Sequence, residues 1–337
     1  MNKEIISSDK LNEDKEIEES LRPKLLESFV GQEKLKENLK ISIESAKIRK
    51  DVLDHILFFG PPGLGKTTLS YIIANELGVK VYSTSGPILE RPGDLAGILT
   101  KLEKGDVLFI DEIHRVNRVV EEYLYPAMED FVLDIMLDSG PSARSIKIKI
   151  KPFTLIGATT RSGLLTSPLR SRFGMSHRLD FYTDEDLKNI LKRSSKILGI
   201  DSSDEGLIEI AKRSRGTPRV ANRLLKRVRD FAIVKGKGVV DFDTVINAMK
   251  MFDVDQLGLD ELSVSILKTI IEKYNGGPVG ISTLAISVGE TAETLEEVYE
   301  PFLIMKGLIK RTQRGRVATK LAFEHLGYKY EGGLFDL

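Results

Sequence analysis

A glycine-rich stretch that ends in lysine and threonine carries the clearest chemical signal in the sequence. Residues 60–67 read Gly-Pro-Pro-Gly-Leu-Gly-Lys-Thr, which fits the phosphate-loop pattern G-x-x-x-x-G-K-[ST]. Phosphate oxygens can approach backbone N–H groups only where side chains are absent, as at Gly63 and Gly65. Lys66 can then reach the β- and γ-phosphates, and the Thr67 hydroxyl can bind Mg²⁺. These residue types predict a nucleoside triphosphate site.

The elements beside this loop must hold it in place. The apolar run 56–59 predicts a buried strand, and residues 68–77 predict a helix that begins near Lys66. A helix that begins there directs the positive end of its dipole at a bound anion. The alternative is a glycine-rich turn between strand and helix that binds no ligand.

A pair of acidic residues follows a second apolar segment. Residues 106–111 predict a buried strand that ends at Asp111, and Glu112 comes next. Beside a phosphate loop, Asp111 would hold Mg²⁺ through a water molecule, and Glu112 would polarise the water that attacks the γ-phosphate. The alternative is a strand that ends in two surface acids.

The composition limits the classes of protein that remain. The chain has 337 residues, enough for two or three domains, and is 41% hydrophobic and 30% charged, as in soluble globular proteins. Its 50 basic and 50 acidic side chains cancel, so nucleic-acid binding requires a local basic patch. Without cysteine, disulfides and thiolate chemistry are excluded, and four scattered histidines do not predict a zinc site. No signal-peptide pattern or bilayer-spanning stretch is found, which predicts a cytoplasmic protein.

Strand and helix patterns alternate through the first half of the chain. They predict a large α/β domain over residues 20–182, after a flexible and mostly charged tail at 1–19. Its sheet would be parallel, with helices on both faces. Further predicted elements are a helix at 33–50 and strands at 80–84, 153–160 and 177–181.

An insertion at residues 131–151 interrupts this domain. A turn cluster at 138–141 precedes residues 145–151, where apolar and basic residues alternate. This pattern predicts a β-hairpin with an isoleucine face and a lysine face. One interpretation is an ordinary half-buried hairpin, and the other is a projecting arm whose apolar face docks a partner.

Strand patterns stop after residue 182, and residues 183–254 predict a small helical lid domain. Thr183 and Thr217 are expected to cap two of its helices. Arg219 lies at the start of the third helix, where the dipole disfavours a cation. This misfit indicates a nearby anion such as a γ-phosphate, and the alternative is a solvated surface arginine. The predicted helices are 184–198, 203–213, 218–234 and 241–251.

Residues 255–337 predict a winged-helix domain. Its third helix would usually enter the DNA major groove, but here it carries four glutamates that phosphates repel. The wing is basic instead, with Arg311, Arg314 and Arg316, which predicts contact with the DNA backbone rather than with bases. A solvated basic hairpin is the alternative. The predicted elements are helices at 262–274, 281–288 and 292–305 and a ribbon at 308–321.

These motifs, in their order along the chain, resemble the RuvB family. They begin at Leu21 and read Leu-Arg-Pro, Phe-x-Gly-Gln, Gly-Pro-Pro-Gly-Leu-Gly-Lys-Thr, Asp-Glu-Ile-His, Gly-Ala-Thr-Thr-Arg, Ser-Pro-Leu-Arg-x-Arg-Phe-Gly, Gly-Thr-Pro-Arg and Arg-x-x-Arg-Gly-Arg. The family comprises the bacterial AAA+ motors of Holliday junction branch migration in recombination, DNA repair and the SOS response. The resemblance implies ATP and Mg²⁺ as cofactors and a homohexameric ring. It implies duplex DNA, RuvA and RuvC as partners, with RuvA gripped by the 131–151 hairpin.

The resemblance also implies which residues form the nucleotide pocket. Asp111 and Glu112 would be the Walker B pair. The phosphates and Mg²⁺ would be held by Gly63, Gly65, Lys66, Thr67 and Thr68. The adenine side would be lined by Leu21, Arg22 and Tyr182.

Residues that sense or complete the site follow from the same resemblance. Thr160 would be the sensor that orients water, with Thr159 as the other candidate. Arg172 resembles an arginine finger that acts on ATP in the neighbouring subunit, with Arg170 as its competitor. Arg219 would read the nucleotide from the lid. The residues that would approach the nucleotide across the subunit interface are Glu129, Asp130 and Phe131, and those that would contact DNA are the wing arginines Arg311 and Arg316.

Two other functions of AAA+ proteins fit parts of the sequence. A protein unfoldase needs an aromatic and hydrophobic pore loop, which the region 86–102 does not provide. A clamp-loader or initiator switch would share the nucleotide residues but has no use for a docking hairpin. Stimulation of ATP hydrolysis by DNA, by peptide or by neither separates the three.

Overall fold

The computed structural model describes residues 19–136 and 145–330. The predicted tail up to residue 18, the turn cluster at 138–141 and residues 331–337 of the predicted winged-helix domain lie outside the described residues. The chain divides into two units: the first extends to Asp180, and the second begins at Phe181 and also takes in Pro61–Gly63. No helix within the two described ranges is long and apolar enough to cross a membrane.

The first unit is built on a five-stranded parallel sheet. The strands of this unit are β1 (Ile56–Phe59), β2 (Val81–Ser85), β3 (Val107–Asp111), β4 (Val132–Met136), β5 (Ser145–Lys149), β6 (Thr154–Thr159) and β7 (Met175–Arg178). The order of strands in the sheet is β2-β3-β6-β1-β7. The central strands β1, β3 and β6 are apolar and buried almost throughout, because both faces of a parallel sheet are covered. Their carboxyl ends lie side by side, which is where open α/β sheets bind ligands.

Helices flank this sheet. They are α1 (Glu33–Arg49), α2 (Lys66–Leu77), α3 (Pro92–Leu99), α4 (Arg118–Glu129) and α5 (Ser167–Ser171). In α1 the buried residues are Leu35, Leu39, Ile43 and Ala46, so the helical period of the sequence does mark the face that packs inward. The edge strand β7 begins two residues before the predicted 177–181, because Met175 already pairs with Ile56 of β1.

The insertion forms an antiparallel hairpin of β4 and β5. Its isoleucine face is buried at one end: Ile150 lies in the core, Ile148 packs partly against it, and Ile146 is 47% exposed. Lys147 and Lys149 are exposed on the other face. The described part of the hairpin is therefore anchored at its base and carries an exposed apolar residue further out.

The second unit begins with the helical lid. Its elements are α6 (Asp184–Ile197), β8 (Asp201–Ser202), α7 (Asp204–Lys212), α8 (Pro218–Lys235), β9 (Val239–Val240) and α9 (Phe242–Met251). Thr183 caps α6 through its hydroxyl, in a capping box with Asp186. Thr217 is the N-cap residue of α8 as expected, but its hydroxyl makes no capping bond and donates to the carbonyl of Ser214 at 3.0 Å instead.

The winged-helix part of this unit has three helical segments, over residues 261–273, 281–288 and 292–305, followed by a two-stranded wing and a final helix. Its elements are α10 (Glu261–Lys268) with a π-helical turn (Thr269–Lys273), α11 (Ile281–Val288), α12 (Ala292–Thr294) with a π-helical turn (Leu295–Tyr299), α13 (Glu300–Met305), β10 (Ile309–Thr312), β11 (Gly315–Ala318) and α14 (Lys320–His325). The predicted helix at 292–305 is thus interrupted by a π turn just before Pro301, whose ring cannot continue regular α-helical bonding. The strands pair with Arg311 opposite Arg316.

Candidate functional site

The phosphate loop turns tightly where β1 ends. Gly60 has a φ of +137°, and a Cβ at this position would lie 2.5 Å from the backbone oxygen of Leu179, so only glycine fits. Gly65, with a φ of +103°, precedes Lys66, the first residue of α2. The Lys66 side chain is buried, and its ammonium donates to the carbonyl oxygen of Gly60 at 2.7 Å. The cation is therefore held at the loop itself.

The first turn of α2 adds hydroxyls and backbone N–H groups. Thr67 and Thr68 are half-buried there, and the first N–H groups of a helix have no partner within it, so they can bind an anion. No group of three or more histidine or acidic residues in the described ranges could hold a metal ion alone. Thr67 and Asp111 nevertheless fit Mg²⁺, which usually takes one or two protein oxygens together with water and phosphate oxygens.

The two acids lie at the carboxyl end of β3, next to β6. Glu112 has a left-handed backbone with a φ of +46°, which is uncommon for residues other than glycine and recurs at functional sites. One carboxylate oxygen of Glu112 lies 3.4 Å from the Thr160 hydroxyl and 3.2 Å from Nδ1 of His114. The turn after Asp111 thus directs the glutamate toward the end of β6.

The hydroxyls of Thr159 and Thr160 have different surroundings. Thr159 is fully buried; its Oγ1 lies 2.8 Å from Nδ1 of His114 and accepts the N–H of Arg161 at 2.9 Å. Thr160 is half-buried and contacts Glu112. Thr160 is therefore the one of the two whose hydroxyl lies beside the carboxylate, whereas the hydroxyl of Thr159 contacts His114.

Arg172 is held by α4 and by its own segment. Its guanidinium donates to the carboxylate of Glu129 at 3.1 Å and to the carbonyl of Pro168 at 2.7 Å. It also lies 4.4 Å from the ring centre of Tyr125, a cation–π contact. Arg170, the competing candidate, is exposed. The fold therefore brings together Arg172 and Glu129, which the resemblance assigned to the subunit interface.

Asp130 and Phe131 follow Glu129 at the end of α4. Asp130 is exposed, and Phe131 is half-buried with a φ of +54°. The Phe131 ring packs edge-on against Phe153 at 6.1 Å, on the core of its own unit. Phe131, one of the three residues assigned to the interface, therefore also has a structural role in the core of its own unit.

The residues assigned to the adenine side belong to both units. Leu21 is buried, and the guanidinium of Arg22 lies 5.9 Å from the ring centre of Tyr71 within the first unit. In the second unit, Tyr182 is buried, and its backbone N–H donates to the carbonyl of Gly216 at 2.9 Å.

Arg219 is exposed in the first turn of α8, and its backbone contacts a glycine of the phosphate loop. The Arg219 N–H donates to the carbonyl of Gly63 at 3.4 Å, and both residues belong to the second unit. Gly63 has a φ of +81°, and a Cβ there would come within 3.1 Å of the Arg219 Cβ. Glycine at this position therefore permits the close approach of α8.

The three wing arginines also differ from one another. Arg311 and Arg314 are exposed, whereas Arg316 is only 6% exposed. The Arg316 guanidinium donates to Glu300 at 2.8 and 3.2 Å and to Glu296 at 2.9 Å. Arg311 lies 3.7 and 3.9 Å from the same two carboxylates. Two of the four glutamates that would repel DNA are therefore paired with arginines of the wing.

Sequence reasoning missed two residues of the site. His114 links Thr159 to Glu112, and its place in the Asp-Glu-Ile-His segment was an available signal. Tyr125 supports Arg172 through its ring while its hydroxyl donates to the buried Glu121 at 2.7 Å. No local pattern identifies Tyr125, because Arg172 lies far along the chain.

A parallel sheet with a phosphate loop and an Asp-Glu pair at its carboxyl edge, followed by a helical domain with an arginine at a helix start, defines an ATPase of the AAA+ class. Family models match the chain in three consecutive parts. They are the Holliday junction DNA helicase RuvB P-loop domain over residues 21–179, the RuvB AAA lid domain over 182–255 and the RuvB C-terminal winged helix domain over 256–327. The chain therefore belongs to the RuvB family.

Solved structures agree with this assignment. The Thermotoga maritima RuvB Holliday junction branch migration motor is 54% identical, with a TM-score of 0.85, over 92% of this chain and 99% of that one. A proline-to-glycine mutant of the same protein matches over the same shares at 54% identity with a TM-score of 0.86. The predicted AAA+ fold with lid and winged helix is confirmed, and so is the prediction of an ATP hydrolase that drives Holliday junction branch migration. The unfoldase and switch alternatives are not supported.

Proposed function

We propose that this chain assembles into a hexameric ring that binds RuvA and pulls duplex DNA during branch migration in the bacterial cytoplasm. One observation carries the proposal: all three RuvB domains match in order along a single chain that joins an ATPase site to a basic wing. RuvC is a further candidate partner at the same junction.

In this proposal the first unit carries out ATP hydrolysis. Lys66 binds the β- and γ-phosphates, and Glu112, with Thr160 beside it, orients the attacking water. Thr67 and Asp111 hold Mg²⁺, which offsets negative charge on the phosphates when it is bound. The remaining pocket residues bind the nucleotide, with Leu21, Arg22 and Tyr182 on the adenine side.

Completion of the site requires a neighbouring subunit. Arg172 supplies positive charge to the γ-phosphate bound by the next subunit, and Glu129, Asp130 and Phe131 lie at the same interface. The support for this assignment is the cluster that Arg172 forms with Glu129 and Tyr125 within its own unit. Because each finger serves the next site, the contact is head-to-tail, the kind of interface that forms a ring when its rotation closes.

DNA is gripped through its backbone by the wing. Arg311 and Arg314 contact phosphates directly, in keeping with their exposure. Arg316, the third arginine assigned to DNA, also holds the wing against the third helical segment through Glu296 and Glu300. Contacts to phosphates rather than bases suit a motor that must pass any sequence. RuvA is gripped by the 131–151 hairpin, which is supported by the exposed Ile146.

A branch migration assay tests the proposal. A four-way junction of labelled strands is incubated with the chain, RuvA, ATP and Mg²⁺, and separated duplexes are measured. We expect ATP-dependent separation that a Lys66→Ala chain cannot perform, because the β- and γ-phosphates lose their cation. Equal separation by the variant, or ATP turnover by the native chain that ignores both DNA and RuvA, would contradict the proposal.

A further inference from the structure

The linker between the lid and the winged helix, residues 252–260, is fixed in place. One carboxylate oxygen of Asp255 accepts two backbone N–H groups of the linker at 2.9 and 2.8 Å, and the other lies 2.7 Å from Nε2 of His325. Gly258 has a φ of +80°, and a Cβ there would lie 2.5 Å from the backbone oxygen of Arg213. The linker is therefore packed against the lid and does not behave as a free hinge.

One lid residue, Arg215, contacts both the linker and the winged helix. Its Nε donates to the carbonyl of Gly258 at 2.7 Å, and its NH2 lies 2.8 Å from the carboxylate of Asp260. The guanidinium also lies 5.8 and 5.6 Å from the ring centres of Tyr299 and Phe302 in the third helical segment. Only 13% of the Arg215 side chain is exposed. A single guanidinium thus joins three parts of the chain.

Asp260 divides its two carboxylate oxygens between these partners. Oδ1 accepts the N–H and the hydroxyl of Ser263 at 2.9 and 2.7 Å, which caps α10, and Oδ2 pairs with Arg215. Burial by itself would raise the pKa of Asp260, but the charge of Arg215 and the bonds from Ser263 outweigh burial and lower that pKa. The carboxylate is therefore charged at neutral pH, and the start of α10 is tied to the lid.

The backbone connects Arg215 to the nucleotide-reading arginine. Arg215 precedes Arg219 by four residues and has a φ of +53°, a conformation for which glycine would be the ordinary choice. The intervening segment is rigid: a Cβ at Gly216 would lie 2.9 Å from the Cβ of Phe181, and the Thr217 hydroxyl bonds the carbonyl three residues earlier. A shift of Arg219 must therefore displace Arg215 as well.

We propose that Arg215 is a positioning residue that couples the nucleotide state of the lid to the DNA-binding winged helix. This inference rests on the function proposed above, because it assigns the route by which that ATPase acts on DNA. When the start of α8 moves with the nucleotide, Arg215 carries the linker, the start of α10 and the third helical segment with it. Without Arg215 both ligands still bind, but neither affects the other.

Linkage gives a direct test. The affinity of the full chain for a non-hydrolysable ATP analogue is measured with and without saturating duplex DNA. Coupling between two sites typically changes affinity by about 5–150-fold. In the native chain we expect the ratio of the nucleotide affinities with and without DNA to be of that order. In Arg215→Ala this affinity ratio should be near one, while the nucleotide affinity without DNA stays the same. Arg215→Lys, which keeps the charge but not the planar fork, should retain part of the ratio.

Arg227→Ala is the matched control. Arg227 lies 3.9 Å from the ring centre of Phe252, so it makes a comparable cation–π contact, but one that stays within the lid part of the chain. The control should lose some thermal stability and keep the full affinity ratio. If Arg215→Ala fails to fold, Asp260→Asn carries the test, because asparagine still caps α10 and removes the charge that faces Arg215.

Two outcomes overturn the inference in different ways. If Arg215→Ala and Asp260→Asn both keep the affinity ratio of the native chain, Arg215 contributes only to packing, and the proposed function stands. A ratio of one in the native chain would remove the inference together with the proposed DNA motor.

The distance between the lid and the winged helix reports the same coupling and can be measured without an activity assay. The chain has no cysteine, so Lys237→Cys in the lid and Thr283→Cys on α11 can be labelled with a fluorophore pair. In the native background the distance should be the same with ADP and with the ATP analogue. Arg215→Ala should broaden or shift the distance, and an unchanged narrow distribution would count against the proposal.

Discussion

At the scale of single residues, Arg172 is oriented by two neighbours, Glu129 and Tyr125, that lie far from it in the sequence. Glu129 pairs with its guanidinium, and Tyr125 lies beneath it. Burial raises the pKa of Tyr125, and its hydroxyl bonds to Glu121 and Thr166, so the ring is a neutral and fixed support. An arginine fixed in this way loses little conformational entropy when it meets a phosphate, which suits a finger that acts on a neighbouring subunit.

The first prediction concerns this residue. Arg172→Ala should still bind ATP but should lose hydrolysis by about 10³–10⁵-fold, the usual contribution of an arginine finger. Mixing it with a Glu112→Gln chain should restore part of the turnover, because some interfaces then combine an intact Glu112 with an intact finger. Steady-state ATP hydrolysis across mixing ratios, in the presence of duplex DNA, is the measurement.

Arg170→Ala is the control for the finger, since Arg170 is exposed and two residues away. It should hydrolyse ATP at close to the native rate. Absence of rescue at every mixing ratio would argue that Arg172 acts within its own chain, and a loss confined to Arg170→Ala would transfer the finger to that residue.

At the scale of elements, the wing shows why residue type alone does not distinguish arginines that can contact DNA from an arginine that stabilises the fold. Arg311, Arg314 and Arg316 all lie in one basic ribbon, yet only Arg316 is buried against the third helical segment. Its partners Glu296 and Glu300 are 20 and 16 residues away in the chain. This pairing depends on how the wing packs against the third helical segment, which no local sequence pattern predicts.

The second prediction distinguishes the two kinds of arginine. Arg316→Ala leaves the buried carboxylate of Glu300 without its main partner, which should destabilise the winged helix by about 3–5 kcal/mol. Arg314→Ala should leave stability unchanged, weaken DNA binding about equally on different sequences and lower the salt slope. Denaturant unfolding and DNA titrations at several salt concentrations measure both effects.

Since Arg316 is also assigned to DNA, its variant should bind DNA more weakly as well. If Arg316→Ala were as stable as the native chain, the ion pair with Glu300 would not support the wing. If DNA binding fell only for some sequences, the wing would be reading bases.

The third prediction concerns the packing of β1 and β6 around His55. Its Nδ1 accepts the N–H of Leu155 at 2.9 Å, so Nε2 must be the protonated nitrogen that donates to the carbonyl of Met128 at 3.0 Å. Burial lowers the pKa of His55, and the bond to Met128 only partly opposes this shift. The folded state therefore binds a proton less readily than the unfolded state.

The direction of the pH dependence of stability follows from that difference in proton binding. The unfolded histidine has a pKa of about 6.5, so the contribution of His55 to stability is complete above that pH and is lost as the pH falls toward the lower folded value. The slope from one such group is at most about 1.4 kcal/mol per pH unit. His55→Gln keeps a donor for Met128 and removes the titration, so its unfolding midpoint should change less than that of the native chain between pH 7.5 and pH 5.5. Parallel curves would show that His55 does not contribute.

Much of the fold follows from local sequence patterns. The bounds of β1 and α11 agree with the predictions from apolar runs and helical period, because these segments bury the faces that the pattern marks. Local patterns predict the structure wrongly where another interaction competes. The Thr217 hydroxyl donates to the Ser214 carbonyl instead of capping its helix, and a π turn before Pro301 interrupts the predicted helix. In the site, the spacing of residues alone predicts the phosphate loop, whereas only the structure shows which of Thr159 and Thr160 lies beside Glu112.

At the scale of the whole molecule, the family assignment and the assembly have different support. Family models match residues 21–179, 182–255 and 256–327, whereas the proposed ring and its partners depend on surface contacts. The hairpin of β4 and β5 offers such a surface, because its isoleucine face is buried at the base and exposed at Ile146. Single exposed apolar residues are common on protein surfaces, so the docking role of Ile146 depends on a direct test.

The last prediction tests that contact with RuvA. Ile146→Asp should abolish the stimulation of branch migration by RuvA, because a charge would have to be buried in an apolar interface. Lys147→Asp is the matched control, since alternation places the next side chain on the opposite face, where it is exposed. Both variants should keep the native rate of DNA-stimulated ATP hydrolysis without RuvA. Sedimentation of mixtures with RuvA measures the complex, and loss of binding in Lys147→Asp but not in Ile146→Asp would place the contact on the lysine face instead.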